Sequence, residues 1–227
     1  MIGASPGVVQ RVRPVSWCVP NVRPALDSDR EAVADVSFAT GYFGRPAGRF
    51  FPDRALFADL WIGPYFRGTG CCSHVAEIDG EVVGYIVGSC DTRTYRRVVA
   101  GRVPRILGRW LRGRYPDLSH SLRYLVRAAR YPGPSAPVRD YPAHLHVNLL
   151  PSARGKGLGR RLMEAFLDCL QARGVAGVQL STTVENEAAL GLYRAFGFEV
   201  WQRQRSRLWR PWLGRSTTQV VMVKRLP

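Results

Sequence analysis

Residues 154–160 read Arg-Gly-Lys-Gly-Leu-Gly-Arg, a glycine-dense turn between an alternating apolar run and a helical one. That order makes an anion site. Successive backbone N–H groups of Gly155, Lys156, Gly157, Leu158, Gly159 and Arg160 point into one concavity, and the helix macrodipole adds about half a positive charge there. The spacing is not G-x-G-x-x-G, because position 160 is Arg, nor G-x-x-x-x-G-K-[ST], because no Gly-Lys-Ser/Thr occurs. A strand-to-helix turn with no ligand stays open as the alternative. Just upstream, His144, His146 and Asn148 share the polar face of a strand whose other face is Leu145, Val147 and Leu149. An imidazole titrates near 6.5, so His146 suits proton transfer, packing against aromatics being the other reading. Asn148 cannot be a base, and no carboxylate lies on that face.

The elements that must position these groups follow from periodicity and punctuation. Val22-Arg23-Pro24 reads as a short strand, and Asp27-Ser28-Asp29 offers N-cap chemistry to a helix over 30–38. Residues 55–62 form a second short helix that Gly63-Pro64 stops. The runs 74–78 and 82–88 join at Asp79-Gly80, a two-residue hairpin signal. Over 89–143 the apolar positions Val103, Ile106, Leu107, Trp110, Leu111 and then Leu118, Leu122, Leu125, Val126 recur at helical spacing with arginines opposite. Two amphipathic helices are expected there, packed on the body or meeting a membrane surface or partner. A strand over 144–149, the glycine turn, and a helix to Ala172 with Gly174 as its C′ residue come next. A strand over 175–184, a short helix over 186–195 ended by Gly197, and strands around 198–204 and 217–224 complete an α/β alternation.

Of the 227 residues, 33 are Lys or Arg and 17 are Asp or Glu, a net charge of +16. Residues 89–143 hold twelve basic and three acidic side chains, and residues 199–227 seven and one; the remainder is nearly neutral. The charge therefore points to what those two segments meet: an acidic acceptor, an anionic surface, or nucleic acid. Hydrophobic content of 46% excludes a disordered chain, and no apolar run reaches the ~20 residues of a membrane span. No apolar h-region follows Arg11 and Arg13, so a secretory signal is not expected, and residues 1–20 read as a poorly ordered leader. The cysteines Cys18, Cys71, Cys72, Cys90 and Cys169 are odd in number and lack C-x-x-C spacing. They are read as small buried hydrophobes of a reducing, cytoplasmic setting; no metal is expected, since no histidine pairs with them at ligand spacing.

The form R-x-x-G-x-G after a strand and Pro151, followed by Asn186-x-x-Ala189-x-x-x-Tyr193-x-x-x-Gly197-Phe198, resembles the GNAT superfamily of acyl-CoA-dependent N-acetyltransferases. The hairpin Val75-Ala76-Glu77-Ile78-Asp79-Gly80-Glu81-Val82-Val83-Gly84-Tyr85 looks like that family's second and third strands, and the resemblance covers roughly 22–88 and 144–200. More narrowly, Ala58-Asp59-Leu60-Trp61-Ile62-Gly63-Pro64-Tyr65 and Tyr141-Pro142-Ala143-His144-Leu145-His146-Val147-Asn148-Leu149-Leu150-Pro151 are similar to the acetyltransferase-like domain of O-GlcNAcases and its free-standing bacterial relatives. The implied fold is a single α/β domain over 21–227. Its mixed, mostly antiparallel sheet is flanked by helices and splayed at the strand before the glycine turn, with a basic helical insertion at 89–143.

The resemblance also implies roles. The amides of Gly155, Lys156, Gly157, Leu158, Gly159 and Arg160 cradle the pyrophosphate of acetyl-CoA, and Arg154 reaches a phosphate or braces the turn. The Leu149 N–H polarises the thioester carbonyl, and Asn186 holds the pantetheine arm, caps its helix, or both. Tyr193 is the general acid for the leaving thiolate, with core packing as its alternative. The base is His146, or one acting through water, or none. Direct transfer of acetyl to an amine is the leading expectation. An acyl-CoA-binding module with little or no catalysis and a basic nucleic-acid or membrane-surface protein are the alternatives, and a homodimer is left open.

Overall fold

Asp79 and Gly80 take φ values of 55° and 79° in the computed structural model of the protein, which describes residues 20–227. Two successive left-handed residues match the twist of the strands they join. The hairpin they close pairs β2 (His74–Ile78) with β3 (Glu81–Ser89), ending on Ile78 opposite Glu81. The expected leader and Cys18 lie outside the described residues.

β1 (Asn21–Pro24) lies beside β2, and β4 (Ala143–Leu149), β5 (Gly177–Thr183), β6 (Glu199–Ser206) and β7 (Thr217–Arg225) complete a sheet in the order β1-β2-β3-β4-β5-β7-β6. Every pair is antiparallel except β4 with β5. That pair is joined only at Ala143 opposite Val178 and His144 opposite Gln179. Beyond His144 the two strands part, as the resemblance implied.

One face is covered by α6 (Leu158–Ala172), whose Leu158, Leu162, Phe166 and Leu170 are buried at helical spacing against Ile86, Leu145 and Leu180. Gly174, at φ 65°, ends the helix, with the Val175 N–H donating to Leu170 and the Gly174 N–H to Gln171. The other face is covered by α1 (Arg30–Thr40), which buries Val33 and Val36 against Val75, Tyr85 and Val87. Asp29 precedes α1 but caps none of its N–H groups. Its carboxylate instead accepts from Arg23 at 2.7 and 2.8 Å and from the Leu26 N–H, and the Arg23 guanidinium holds it below the usual carboxylate range.

Four sequence expectations are corrected. First, α2 (Arg54–Phe57) does run into a wider π-helical turn at Ala58–Ile62, but Pro64 does not end the helical course. It precedes another such turn at Tyr65–Thr69, because its own φ of −60° and ψ of −37° are already helical. Second, the insertion holds three helices. α4 (Val103–Leu111) and α5 (Leu118–Arg130) follow the apolar spacing, while α3 (Thr92–Gly101) is started by Asp91, whose side chain accepts from the Arg93 N–H at 2.8 Å. Third, a short α8 (Arg210–Leu213) lies between β6 and β7. Fourth, the described cysteines are not four separate thiols. Cys71 is bonded to Cys90 and Cys72 to Cys169, at Cα separations of 5.8 and 5.5 Å. The sulfurs of Cys71, Cys72 and Cys90 lie within 4.8 Å of one another, a proximity that only the fold creates.

The insertion is fastened by an aromatic core of Phe50, Phe51, Phe57, Tyr124 and Trp209, drawn from three distant parts of the chain. A buried carboxylate fastens it again. Asp59 meets Arg30 at 2.9 Å, Arg109 at 3.2 Å and Arg102 at 3.6 Å, and accepts from the Tyr115 hydroxyl at 2.7 Å.

Candidate active site

The parting of β4 from β5 leaves one edge of β4 open. The Leu150 N–H donates to the Val83 carbonyl at 2.8 Å, so strand alternation turns the N–H groups of Val147 and Leu149 the other way, toward the gap. Gly84 permits this course: a Cβ there would come within 2.5 Å of the Leu149 side chain.

Pro151–Ala153 makes one helical turn after β4, and then Gly155 and Gly157 both sit at φ 74°. Gly157 precedes the first residue of α6, no side chain caps the helix, and its first turn carries no acid. Lys156, Arg160 and Arg161 surround that end. An uncapped helix start with cations and left-handed glycines suits a phosphate-bearing ligand. Arg154 donates to the Gly44 carbonyl at 2.9 Å and to the Leu149 carbonyl at 3.4 Å, tying the turn to the segment after α1.

A cleft of about 280 Å³ runs from the open strand edge toward the insertion. On one side it is lined by Ser181, Thr182 and Thr183 of β5 and by Asn186 and Tyr193. The last two belong to α7 (Glu187–Ala195) and the residue that starts it. The Asn186 side chain makes no hydrogen bond to the helix it starts. Tyr193 is buried, and that burial, with the Tyr85 phenol nearby, pushes its hydroxyl well above the usual phenol range. It stays protonated at neutral pH.

His146 and Asn148 line the cleft from β4. Asn148 donates to the Tyr85 hydroxyl at 2.8 Å. His146 is open to the cleft yet crowded by protein around the rest of its ring, which disfavours the cation and lowers its pKa to about 4. His144 is spoken for: Nε2 lies 2.9 Å from the Tyr65 hydroxyl and Nδ1 2.9 Å from Thr92 Oγ1, with burial lowering its pKa to about 3.

The structure thus gathers His146, Asn186 and Tyr193 around one cleft, with Leu149 at its open strand edge. Gly155–Arg160 and Arg154 lie just beyond, at the end of β4, and do not line it. The opposite wall is aromatic, which no motif of the sequence specified: Phe43, Phe50, Phe57 and Trp61 line the cleft from one stretch, Tyr124 from the insertion and Trp209 from the C-terminal segment. The one available signal was the aromatic density of residues 42–66. Among the described residues, none that lines the cleft is acidic.

Comparison with known proteins agrees with this geometry. A family model described as "Acetyltransferase (GNAT) family" matches residues 126–198, the span from α5 through α7. The crystal structure of SsHAT is 30% identical, covering 91% of this chain and 98% of that one with a TM-score of 0.58. The Salmonella typhimurium protein yncA, solved with its cofactor acetyl-CoA, shares the fold at 16% identity and a TM-score of 0.56, covering 92% and 94% of the two chains. The mycothiol acetyltransferase of Renibacterium salmoninarum is 42% identical over 55 residues, which is 24% of this chain and 16% of that one. The match to that curated relative therefore spans about a sixth of its length. With its splayed sheet, its glycine turn and a relative aligned along nearly the whole chain, the protein belongs to the GNAT acetyltransferase family.

Proposed function

We propose that the protein moves the acetyl group of acetyl-CoA to an amine by direct transfer in a ternary complex. The observation that carries this reading is the gap between β4 and β5, which opens a strand edge, a helix start and a protonated phenol onto neighbouring space. The residues present fit acetyl-CoA. The amides of Gly155–Arg160 and the start of α6 favour the pyrophosphate, Lys156 adds charge, and the open β4 edge offers strand-like hydrogen bonds to the pantetheine arm. Arg154 braces this turn through the Gly44 and Leu149 carbonyls. In this reading the Leu149 N–H polarises the thioester carbonyl, the Asn186 amide holds the arm, and the Tyr193 hydroxyl protonates the departing thiolate. His146 is neutral at pH 7, but with its pKa lowered to about 4 it is a weak acceptor of the amine's proton, which favours a base acting through water or none.

The resemblance of residues 58–65 and 141–151 to the O-GlcNAcase-associated domain and its free-standing bacterial relatives supports placing the protein beside them. The two segments meet at the Tyr65–His144 hydrogen bond. The acceptor is read as acidic or presented on an anionic surface, from the basic charge of the insertion and the C-terminal segment. Acetyl-CoA as the donor supports work in the cytoplasm, where the two cysteine pairs would have to persist against a reducing setting. A second reading, an acyl-CoA-binding module without catalysis, is favoured by the absence of a lining carboxylate among the described residues. The test is release of free thiol from acetyl-CoA across an amine panel, with products identified by intact mass. Amine-dependent release is expected; tight acetyl-CoA binding with no release would establish the binding module instead.

A further inference from the structure

Helix α4 is poorly accounted for by the core. Of its apolar residues only Ile106 packs into the aromatic cluster, whereas α5 commits Leu118, Tyr124 and Leu125 to it. The rest of the α4 stripe is in solvent: Val103 is 61% exposed, Leu107 49%, Trp110 46% and Leu111 74%. Single exposed leucines are ordinary, but an i, i+4, i+7, i+8 stripe is an unpartnered helix face. Arg105 and Arg112 are exposed on the opposite, polar side of the helix and Arg114 just past its end, the division of an interfacial amphipathic helix, and among the described residues none of the three has a carboxylate partner. They sit in a segment of twelve basic and three acidic residues.

We propose that this face of α4 lies on an anionic lipid surface, with the apolar stripe at the headgroup–acyl boundary and the arginines on lipid phosphates. The pairing of the two chemistries selects this occupant. A nucleic acid would satisfy the arginines but leave Leu107 and Leu111 in water. A second copy of the same face would bury the leucines but bring two strongly cationic surfaces together. An anionic bilayer satisfies both, and Trp110 is of the type that settles at its boundary. The surface and the cleft share a support: Ile106 of α4 packs into the same aromatic cluster as Tyr124 of α5, which lines the cleft. A protein docked through α4 therefore holds its acceptor wall close to the membrane, where an acceptor amine carried by a lipid or a membrane-associated molecule would meet it. The docking itself does not depend on acetyl transfer.

The test is co-sedimentation of the full-length protein, without acetyl-CoA, with vesicles of phosphatidylcholine alone or mixed three to one with phosphatidylglycerol. Binding is expected only with the mixed vesicles, weakening as salt rises. The paired substitution Leu107→Glu with Leu111→Glu is expected to lower the vesicle affinity at least tenfold while leaving acetyl-CoA binding and the circular dichroism spectrum unchanged. Arg112→Ser with Arg114→Ser, which leaves the apolar stripe intact, is expected to remove the preference for phosphatidylglycerol. No sedimentation with either vesicle, or binding insensitive to both substitution pairs, overturns the proposal. So does tight binding of duplex DNA that the leucine substitutions leave untouched, or a dimer in sedimentation velocity that those same substitutions dissolve.

Discussion

Tyr193 holds its hydroxyl in the cleft wall, where burial keeps the proton in place far past neutral pH. A positioned proton donor is typically worth about 10²–10⁴ in rate. Tyr193→Phe removes only the oxygen, so kcat is expected to fall by about 10²-fold while acetyl-CoA affinity, measured by calorimetry, stays nearly unchanged. Unaltered turnover would take Tyr193 out of the mechanism. The two strand histidines carry a different consequence. Their pKa values are depressed, to about 3 for His144 and about 4 for His146, so the folded protein keeps them neutral where the unfolded chain, near 6.5, takes up protons. Stability contributed by that difference is present above about pH 6.5 and lost as pH falls below it; it reaches up to about 1.4 kcal/mol per pH unit for the largely buried His144 and is smaller, through solvent screening, for His146 at the open cleft. The thermal midpoint is expected to drop between pH 7.5 and 5.5, and His144→Asn to flatten that slope. A midpoint indifferent to pH across that window contradicts the burial argument.

At the scale of elements, the start of α6 depends on two glycines in the left-handed region. A Cβ on Gly157 would meet nothing within 4 Å, so its cost comes from φ alone, about 1–2 kcal/mol. Gly157→Ala is expected to relax the turn and raise the Kd for acetyl-CoA several-fold, with the loss read by titration. The insertion depends on Asp59 in the same way. Removing its charge strands Arg30, Arg102 and Arg109 around an uncompensated buried site, which typically costs about 3–5 kcal/mol. Asp59→Ala should lower the urea midpoint accordingly, and a change under about 1 kcal/mol would mean that the cluster is worth no more than a surface ion pair. The paired cysteines tie α6 and the end of β3 to the approach of β2. Their closures, 19 and 97 residues apart in sequence, correspond to roughly 3 and 5 kcal/mol of chain-entropy stabilisation. Thiol-specific mass labelling of the unfolded protein, with and without reductant, should show four additional reactive thiols after reduction, together with a lower midpoint. Full labelling without reductant would show that the pairs are not formed.

Taken whole, the molecule is a nearly neutral core carrying a cationic insertion and a cationic C-terminal segment. Those two segments are far apart in sequence but adjacent in space. Tyr124 of α5 contacts Trp209 and Trp212 near α8, and Arg127 donates to the carbonyls of Leu208 and Arg207. They form one basic, aromatic flank over the cleft, which lets a docking surface and an acceptor wall belong to the same unit.

The sequence by itself determined the local features: the Asp79-Gly80 hairpin, the extent of β4, the glycine turn, and the α6 stripe with its Gly174 end. Each rests on interactions between residues a few positions apart, which periodicity and turn chemistry express directly. Only the tertiary structure decided what depends on long-range approach. Helix α3 carries only Tyr95, Val98 and Val99 at helical spacing among threonines and arginines, and the aromatic wall joins six side chains from three stretches that only the fold brings together. Cysteine spacing likewise could not reveal that Cys72 meets Cys169 across 97 residues. His144 and His146 show the division most clearly. The pattern placed both on one strand face, but only the packing made one a doubly hydrogen-bonded support and left the other facing the cleft.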